Sequence, residues 1–455
     1  MMEYLDKLSG YSDEVALSFN SEQHSYSDLN QNIKRFGNDL KQITQSQVVC
    51  IVSDYSFDAI SLFFALVKKK CIIVPIVSEN QEEVEKRIAV IKPDVVINLR
   101  KSTGIAFEQF EQDTANRHQL ILDLIFREQS GLVLFSSGST GEPKAMIHNL
   151  DVLLATYVDK RPKSLSIMVF LMFDHIGGLN TLLNSLSMGA KIVIPEKREP
   201  EHVAMLIERE KVNLLPASPT FLNMMLIANV HQHYDLKSLR MVTYGTEAMP
   251  ESLLLRLKAT LPRVKLLQTF GTSETGIAQT SSRSSSSLEI KFDDPNQEYK
   301  IVNNELWLRS KTQIMGYLNH DMSSFSEDGW FQTGDLVEQS EDGYLKIIGR
   351  AKEVINVGGE KVLPSEVESV LLGIDGIEDC VVYAAANAIT GQTVVANVTP
   401  SAGTDLKELK KQIRKCCRAQ LDTYKVPTKI NFNTDTGVSE RFKKVRINKY
   451  NNKSS

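Results

Sequence analysis

Short apolar runs alternate with segments of helical periodicity, and this alternation restricts the fold more than any other feature of the chain. Between residues 48 and 99 strand-like runs and helical patterns follow one another, and the same rhythm returns between residues 166 and 269. Strands that alternate with helices predict parallel sheets covered by helices. A length of 455 residues exceeds what a single hydrophobic core organises, so we expect two or three domains.

Three polar loops each follow a predicted strand of this α/β region, at residues 136–144, 244–250 and 270–276. In parallel sheets, ligands collect at the carboxyl ends of the strands. The three loops are therefore expected to meet in one cleft.

The first of these loops reads SSGSTGEPK from Ser136 to Lys144 and follows the apolar run Gly131–Phe135. Small residues let backbone N–H groups approach a phosphate, hydroxyls add donors, and Lys144 supplies a positive charge. The loop differs from a Walker loop, because a proline precedes the lysine and the next residues look extended. On this segment alone, a phosphate-binding loop and an ordinary Ser/Gly turn both remain open.

Composition and charge narrow the class of protein. Hydrophobic residues make up 42% and charged residues 24%, and a formal net charge of −4 gives no electrostatic reason to bind nucleic acid. The five cysteines show no metal-binding spacing, and no apolar run approaches the ~18 residues of a membrane helix. The acidic N-terminal segment also lacks the apolar core of a signal peptide. We therefore expect a cytoplasmic protein with neither a nucleic-acid partner nor a transmembrane segment.

The pattern changes after Gly276. The serine-rich tract Gln279–Ser287 is predicted to be a loop, and the strands beyond it are short and separated by hairpin-type signals such as Asn303-Asn304. After Arg350 the sequence predicts a compact α+β unit, with helices over Pro364–Leu372 and residues 405–421 and an extended segment over Lys429–Phe432.

Six segments occur in the order FSSGSTGEPK, FDHIGG, YGTEAMP, FGTSETG, DGWFQTGD and GRAKEVINVGGEKVLPSEVE. Together they resemble the adenylate-forming (ANL) superfamily of acyl- and aryl-CoA synthetases, amino-acid adenylation domains and luciferases, with the acyl-CoA synthetases nearest in pattern. The resemblance runs from about Leu132 to Arg446. It implies an α/β fold with a large N-terminal domain of stacked α/β sheets plus a small β subdomain, residues 1–350. A small mobile α+β C-terminal domain, residues 351–455, would follow.

The resemblance also implies a reaction. Members of the superfamily join a carboxylic acid to ATP, release pyrophosphate and then usually pass the acyl group to a thiol. ATP, Mg²⁺ and coenzyme A as acyl acceptor are therefore expected, with a small carboxylic acid as substrate. Because two anions must meet at the α-phosphorus, positioning and charge neutralisation are the main tasks of such a site.

Nucleotide-binding roles are implied for residues of four segments. The β- and γ-phosphates would be held by Ser136, Ser137, Gly138, Ser139, Thr140, Gly141 and Lys144. Gly245, Thr246 and Glu247 would line another wall of the pocket, close to the acyl group, and the motif Phe270-Gly271-Thr272 would place an aromatic ring against adenine. Asp335 would accept hydrogen bonds from the ribose hydroxyls, with Arg350 reinforcing ribose or phosphate binding.

Catalytic roles are implied for Ser273, Glu274, His175 and Lys443. Ser273 would contact phosphate, and Glu274 would hold Mg²⁺, a hard cation that suits carboxylate and phosphate oxygens. His175 matches a histidine position found in many CoA-forming relatives, where an aromatic side chain gates the acyl pocket, although a simply packed histidine also fits. The neighbouring Asp174 keeps an amino-acid substrate open, because amino-acid-activating relatives pair an aspartate near this position with an ammonium group. The motif favours a plain carboxylic acid.

The C-terminal segment TGVSERFKKVRINKY departs from the superfamily pattern. The best register places Lys443 where relatives carry the lysine that bridges the acyl carboxylate and the α-phosphate, with Phe442 in place of the usual glycine. Lys444, one residue further, is the alternative. A lysine suits this position because it neutralises charge where the two anions meet.

The resemblance implies that the small domain rotates between the two half-reactions. Lys352 stands at the hinge position, and Gly358 and Gly359 would border the tunnel for the thiol arm, although the glycine pair also fits a hairpin turn. Two other functions stay open beside an acyl-CoA synthetase. One is activation of an acyl group or amino acid with transfer to a separate carrier protein, and the other is nucleotide binding without catalysis.

Overall fold

The strands of the N-terminal region form two seven-stranded sheets in a computed structural model, which describes residues 1–100, 106–110, 116–137, 142–433 and 444. Strands and helices are numbered along the chain. In spatial order the first sheet contains β13 (Lys265–Gln268), β12 (Met241–Tyr244), β11 (Leu214–Ala217), β9 (Ser166–Met168), β10 (Lys191–Val193), β1 (Val15–Phe19) and β2 (Glu22–Ser25). All neighbouring strands of this sheet are parallel except β1 and β2.

The second sheet has a parallel centre and antiparallel edges. In spatial order it contains β20 (Gly316–Tyr317), β8 (Pro143–Asn149), β7 (Gly131–Ser137), β4 (Ile72–Ile76), β3 (Val48–Val52), β5 (Val95–Asn98) and β6 (Ala106–Gln109). Strands β7, β4, β3 and β5 run parallel, whereas β20, β8 and β6 pair antiparallel with their neighbours. The strands β3 and β4 are buried along their whole length, which fits a sheet covered on both faces.

Eleven α-helices are described within the N-terminal 350 residues. They are α1 (Met2–Ser9), α2 (Tyr26–Asp39), α3 (Phe57–Lys68), α4 (Gln81–Ile91), α5 (Gln119–Phe126), α6 (Leu150–Ala155), α7 (Ile176–Ser187), α8 (Pro200–Glu210), α9 (Pro219–Ile227), α10 (Val230–His233) and α11 (Glu251–Thr260). Side-chain caps fix several starts: Ser56 accepts from the Ala59 amide before α3, and Ser218 accepts from the Phe221 amide before α9.

One core cluster joins the two sheets. It contains Leu17 and Ile192 of the first sheet, Val49 and Ile73 of the second, and the apolar side chains of α3 and α7. Because α3 is apolar on almost all faces, it is buried between layers rather than on the surface. This arrangement confirms the predicted stacking of α/β sheets.

A third, six-stranded antiparallel sheet follows. In spatial order it contains β16 (Thr280–Ser282), β17 (Glu289–Phe292), β22 (Leu345–Arg350), β21 (Phe331–Gln339), β19 (Glu305–Ser310) and β18 (Gln297–Val302). Asn303 and Asn304 both have positive φ, 52° and 65°, and form the two-residue turn between β18 and β19 that the sequence predicted. This sheet has its own small core and is the predicted β subdomain.

The prediction of a loop over Gln279–Ser287 is wrong for its first part. Residues 280–282 form β16, which pairs with β17, and the Thr280 hydroxyl donates to the Gln268 carbonyl oxygen at 2.7 Å. Serine is not among the residues enriched in strands, so the contacts of Thr280 and the pairing with β17 outweigh the serine-rich local pattern.

The C-terminal region is an α+β unit with a separate core. Its sheet contains β24 (Glu360–Val362), β23 (Ile355–Val357), β26 (Gly391–Pro400), β25 (Ile377–Asn387) and β27 (Lys429–Phe432). Its helices are α12 (Pro364–Leu372) and α13 (Leu406–Gln420), with 3₁₀ turns at Ala351–Glu353 and Thr423–Lys425. The predicted bounds of α12 and β27 are confirmed, and α13 differs from its prediction by one residue at each end.

The C-terminal unit rests on the large N-terminal region. Helix α12 packs against α11, and the Ser365 hydroxyl donates to the Ile348 carbonyl oxygen at 2.7 Å. The side-chain amide of Asn223 also donates to the Glu378 carbonyl oxygen at 3.0 Å. Within the described ranges, no helix is long and apolar enough to cross a membrane.

Candidate active site

Two of the predicted site loops leave neighbouring strand ends. Strands β12 and β13 are parallel with Tyr244 opposite Gln268, and the Thr269 amide donates to the Tyr244 carbonyl oxygen at 2.8 Å. A Cβ on Gly245 would lie 2.8 Å from the Thr269 carbonyl oxygen, so a side chain there would push the strand ends apart. The sequence prediction that these loops lie together is therefore confirmed for residues 244–250 and 270–276.

Thr246 has two unusual features at this strand end. Its φ is 73°, which a β-branched residue rarely adopts, and its buried hydroxyl has no hydrogen-bond partner within the described part of the chain. Strained backbone and unsatisfied buried polar atoms concentrate where a ligand completes the site. Both features of Thr246 indicate a pocket wall at which the hydroxyl could bind a polar group of a ligand.

The neighbouring Glu247 is held by backbone amides. Its Oε1 accepts from the Thr220 amide at 2.8 Å, close to the start of α9, and its Oε2 accepts from the Lys444 amide at 3.2 Å. A carboxylate near a helix N-terminus is favoured by the helix dipole. Glu247 thus joins three segments of the chain beside the pocket.

The FGTSETG motif forms a tight hairpin of β14 (Phe270–Thr272) and β15 (Gly276–Ala278). The Thr272 hydroxyl accepts from the Thr275 amide at 3.1 Å and lies 3.0 Å from the Thr275 hydroxyl, which fixes the turn that carries Ser273 and Glu274. A Cβ on Gly271 would lie 2.5 Å from the Gly276 carbonyl oxygen, so only glycine allows this close pairing. The half-buried Phe270 ring packs edge-on against Phe292 of the β subdomain, with 5.8 Å between ring centroids.

The segment that carries the predicted phosphate loop joins the antiparallel strands β7 and β8. These strands pair from Gly131 opposite Asn149 to Ser137 opposite Pro143, with Ser136 opposite Lys144. The sheet therefore fixes both ends of the loop. The predicted ligands Gly138, Ser139, Thr140 and Gly141 lie outside the described residues.

Glu274 has the properties of a carboxylate that a cation could bind. Its Oε1 accepts from the Tyr317 hydroxyl at 3.2 Å, and no described lysine, arginine or histidine lies within 4 Å of the carboxylate. Over the same described ranges, no cluster of three metal-ligating side chains is present. A single free carboxylate fits Mg²⁺ bound mainly by phosphate oxygens and water, rather than a cation held by a protein cage.

Asp335 and Arg350 face each other across the β subdomain. They are register partners on β21 and β22, and the Arg350 Nε donates to Asp335 Oδ1 at 3.0 Å. Burial raises the pKa of Asp335 to about 6, although Arg350 opposes this shift. The site therefore holds an acid that changes charge close to neutral pH.

His175 caps α7. Its Nδ1 accepts from the Gly177 amide at 3.0 Å, so in the neutral ring the proton is assigned to Nε2. Helix α7 packs against β15, one strand of the hairpin that carries Glu274. Close packing holds the start of this helix, because a Cβ on Gly178 would lie 2.3 Å from the Met172 carbonyl oxygen.

Asp174 is paired with a buried arginine. Its Oδ2 lies 2.7 Å from the Arg87 Nη1, and both side chains are almost wholly buried. Arg87 also pairs with Glu83 one turn earlier on α4 and lies over the Phe135 ring, 5.4 Å from its centroid. This network links the segment before His175 to the strand that leads into the phosphate loop.

The predicted hinge residue lies between two sheets, and the predicted tunnel residues lie in a turn of the C-terminal sheet. Lys352 is in the 3₁₀ turn that connects β22 of the β subdomain to β23 of the C-terminal sheet. Gly358 and Gly359 form the turn between β23 and β24, with φ of 62° and 101°. Glycine is explained there by backbone conformation, because open space or only loose contacts surround both positions.

Two family models match the chain. The model for the AMP-binding enzyme covers residues 6–318, and the model for the AMP-binding enzyme C-terminal domain covers residues 366–439. The chain belongs to the AMP-binding enzyme family. This confirms the resemblance to the adenylate-forming superfamily that the sequence motifs indicated.

Characterised relatives of this family member include CoA ligases. Indoleacetate–CoA ligase of Aromatoleum aromaticum is 31% identical over 324 residues, which is 66% of this chain and 63% of that protein. 4-Coumarate–CoA ligase 1 of Narcissus pseudonarcissus is 30% identical over 323 residues, 64% of this chain and 59% of that protein. The chain thus spans less than two thirds of the length of these relatives.

Solved structures share the fold over nearly the whole chain. The anthranilate CoA ligase AuaEII in complex with anthranoyl-AMP has a TM-score of 0.82 and 21% identity, covering 97% of this chain and 95% of that one. ATP-bound MatB from Rhodopseudomonas palustris has a TM-score of 0.78 and 19% identity, covering 97% of each chain. The family fold, with a large N-terminal and a small C-terminal domain, is confirmed.

The structure adds facts about the C-terminal lysines of this AMP-binding enzyme. Lys443 lies outside the described residues. The Lys444 ammonium lies 3.0 Å from Asp379 Oδ1 and donates to the Cys380 carbonyl oxygen at 2.6 Å. Burial lowers the pKa of Lys444, but the carboxylates of Glu368 and Asp379 outweigh burial and raise it above its ordinary value.

Three residues beside the site were missed by sequence reasoning. Arg87 and Tyr317 make the contacts described above, and His148 of β8 is fully buried near the backbone oxygens of Thr312 and Ser273. Burial lowers the pKa of His148 to about 4, so the ring is neutral at physiological pH. No local sequence pattern marked Arg87, His148 or Tyr317.

Proposed function

We propose that this AMP-binding enzyme is an acid–CoA ligase. It would form an acyl-adenylate from ATP and a carboxylic acid, release pyrophosphate, and then pass the acyl group to coenzyme A. The observation that carries the proposal is the Glu274 carboxylate, which has no cationic side chain within 4 Å among the described residues and shares Tyr317 as a neighbour with Lys144. Opposite charges held near one another without pairing suit a triphosphate and its cation.

The nucleotide would occupy the cleft between the strand ends and the β subdomain. Lys144 and the hydroxyls of the phosphate loop would hold the β- and γ-phosphates, and Ser273 would contact phosphate beside them. Glu274 would hold Mg²⁺, which when bound neutralises phosphate charge. The unsatisfied Thr246 hydroxyl supports a pocket wall at residues 245–247. The packing of Phe270 against the sheet that carries Asp335 supports adenine and ribose subsites on that side.

A plain carboxylic acid is the proposed substrate class. An amino-acid substrate needs a carboxylate that is free to pair with its ammonium group, whereas Asp174 is buried against Arg87. His175 would stand at the acyl pocket, with Nε2–H directed by the hydrogen bond that Nδ1 accepts. The acids named by the relatives, indoleacetate, 4-coumarate and anthranilate, are the first candidates to test.

Lys443 is the proposed catalytic lysine. The ammonium group of the alternative, Lys444, forms an ion pair with Asp379 and donates a hydrogen bond to the Cys380 carbonyl oxygen inside the small domain. A lysine held in that buried pair cannot also bridge the acyl carboxylate and the α-phosphate. The Lys444 amide itself donates to Glu247 Oε2 at 3.2 Å, which supports a catalytic role for the residue that precedes it in the chain.

Rotation of residues 351–455 relative to residues 1–350 is proposed to separate the two half-reactions. Lys352 would be the hinge, because it stands in the short connection between two independent sheets. Gly358 and Gly359 would border the thiol tunnel in the second orientation. None of the five cysteines, all within the described ranges, forms a disulfide, which supports the proposal of a reducing, cytoplasmic setting.

The deciding experiment is a screen of carboxylic acids by pyrophosphate release, with and without coenzyme A. We expect acid-dependent pyrophosphate release, and sustained turnover only when coenzyme A is present. Release of orthophosphate alone would refute the proposal. Acyl-adenylate formation that ignores coenzyme A but loads a carrier protein would identify the carrier-protein alternative. Nucleotide binding without any exchange of labelled pyrophosphate into ATP would indicate a non-catalytic protein.

The lysine assignment has its own test. Lys443→Ala should abolish adenylation and leave thiolation of a preformed acyl-adenylate largely intact, whereas Lys444→Ala should mainly weaken the fold. Lys352→Pro should also separate the two half-reactions, because proline restricts the backbone rotation that a hinge needs. Loss of adenylation in a stable, folded Lys444→Ala protein would assign the catalytic role to Lys444 instead.

A further inference from the structure

Residues 312–319 form a strip that connects the two loops proposed to hold the triphosphate. On one side, the Ile314 amide donates to the Glu274 carbonyl oxygen at 2.8 Å. On the other, the Met315 and Leu318 amides donate to carbonyl oxygens of β8, those of Ile147 and Ala145, at 2.8 and 2.9 Å. The strip therefore carries backbone contacts to both the FGTSETG hairpin and the strand that leaves the phosphate loop.

Asn319 fixes the phosphate-loop end of this strip. Its Oδ1 accepts from the Ala145 amide at 2.9 Å, and its Nδ2 donates to the Pro143 carbonyl oxygen at 2.9 Å. These two bonds lie on either side of Lys144. The backbone of Lys144 is consequently held in register with the strip, and its side chain starts from a fixed position.

Tyr317 lies in the middle of the strip between two charged side chains. Its hydroxyl donates to Glu274 Oε1 at 3.2 Å and lies 3.5 Å from the Ser324 hydroxyl. The Lys144 ammonium lies over its ring, 5.7 Å from the centroid, at a distance where a cation is attracted to an aromatic face. The side chain is 5% exposed, so it is a packed spacer rather than a mobile surface group.

We propose that Tyr317 is a positioning residue that keeps the Glu274 carboxylate and the Lys144 ammonium apart and aimed at the cation and the phosphates. Lysine and glutamate side chains that meet directly form an ion pair and neutralise each other. Tyr317 contacts the two side chains separately: its hydroxyl donates to Glu274, and its ring faces the Lys144 ammonium. This proposal deepens the proposed function and rests on it.

The hydroxyl acts as a neutral donor. A phenol is neutral at physiological pH and can donate one hydrogen bond. A neutral donor orients Oε1 without cancelling the negative charge, and it leaves Oε2 for a cation. The same contact made by a lysine would orient the carboxylate and also neutralise it.

Tyr317→Phe tests the hydroxyl while keeping the ring that Lys144 contacts. A hydrogen bond to a charged group is worth about tenfold in an equilibrium when solvent reaches part of the site. ATP binding followed by calorimetry at stepped Mg²⁺ concentrations should therefore require about tenfold more Mg²⁺ for half-maximal affinity. Affinity for ATP without divalent cation should stay unchanged. Tyr11→Phe is the matched control, because it removes a hydroxyl that donates to Ser187 at the far end of α7.

A second variant keeps the test valid if the single change alters packing. Glu274→Gln retains an acceptor for the hydroxyl and removes the charge, so Tyr317→Phe should change Mg²⁺ dependence in the wild-type background but not in the Glu274→Gln background. An unchanged Mg²⁺ requirement in Tyr317→Phe, or equal shifts in both backgrounds, overturns the proposal. These binding measurements need no acid substrate, so absence of pyrophosphate release with every acid would refute the ligase function without affecting this result.

Discussion

Asp335 should make nucleotide binding pH-dependent near neutrality. Burial raises its pKa to about 6, above the value of about 4 expected in the unfolded chain, and Arg350 limits the shift through charge and a hydrogen bond at 3.0 Å. The ionised carboxylate can accept from both ribose hydroxyls, whereas the protonated acid has lost part of that capacity. Ribose binding should therefore strengthen as the pH rises through about 6.

The size of the effect follows from the titration. With a pKa of about 6, roughly one tenth of the Asp335 side chains are ionised at pH 5 and nearly all at pH 7.5, so affinity should change about tenfold. The raised pKa of Asp335 also affects stability, which should fall over the same pH rise that strengthens ribose binding. Because the folded state holds this proton more tightly than the unfolded state, Asp335 lowers the free energy of unfolding as the pH rises from about 4 to about 6, by at most about 3 kcal/mol.

The assay is adenosine binding by calorimetry between pH 5 and 7.5, since adenosine carries no phosphate that titrates in this range. Wild-type protein should show a midpoint near 6, and Asp335→Asn should show a flat profile. Arg350→Gln should move the midpoint upward, because Arg350 is the group that holds the pKa of Asp335 down. Dideoxyadenosine, which lacks both ribose hydroxyls, should bind with no midpoint at all.

Three results would refute this reasoning. A flat wild-type profile would mean that Asp335 does not contact the ribose or does not titrate in this range. A midpoint that moves downward in Arg350→Gln would mean that the charge of Arg350 does not act on Asp335. Equal pH dependence for adenosine and dideoxyadenosine would assign the titration to a group elsewhere.

Three further predictions concern stability and use chemical denaturation. In the wild-type protein the free energy of unfolding should rise between about pH 4 and 6.5, because the unfolded state binds the His148 proton more tightly than the buried ring does. His148→Gln should reduce this rise. An unchanged slope would contradict the prediction. Gly178→Ala should destabilise the protein by about 3 kcal/mol, because the new Cβ would collide with the backbone. The control Gly37→Ala adds a Cβ to a helix position with open space around it, and it should stabilise the protein by about 0.5 to 1 kcal/mol. Lys444→Met should destabilise the small domain by about 3 kcal/mol, because Asp379 would remain buried without its partner, and a change below about 1 kcal/mol would refute the pairing.

The local sequence was sufficient to predict the bounds of helices and strands whose first and last residues are typical of such ends. The helix Pro364–Leu372 begins with proline in its first turn and ends before Gly373, and its predicted bounds match those of the structure. The strand Lys429–Phe432 likewise matches its prediction. The strand at residues 280–282 was not predicted, because its tract is rich in serine and its pairing with β17 and its hydrogen bond to the Gln268 carbonyl oxygen are tertiary contacts.

The loops of the site could be predicted because each follows a strand, but the contacts between their side chains could not. The Tyr317 hydroxyl reaches Glu274 from 43 residues away, and Arg87 reaches Asp174 from 87 residues away. Neither pair has a local pattern that would mark it, since the sheet order alone brings these segments together. The motif could therefore mark Glu274 as a candidate metal ligand, whereas the residue that orients it required the fold.

The adjacent lysines 443 and 444 also show that side-chain contacts cannot be predicted from the local sequence. Two identical side chains in succession carry the same local signal, so their tertiary contacts cannot be read from the sequence. The motif register favoured Lys443 and left Lys444 open. The structure pairs Lys444 with Asp379 inside the small domain, so we expect substitution of Lys444 to lower stability and substitution of Lys443 to affect adenylation alone. Measuring both quantities on both variants separates a structural ammonium from a catalytic one, even though the two side chains are chemically the same.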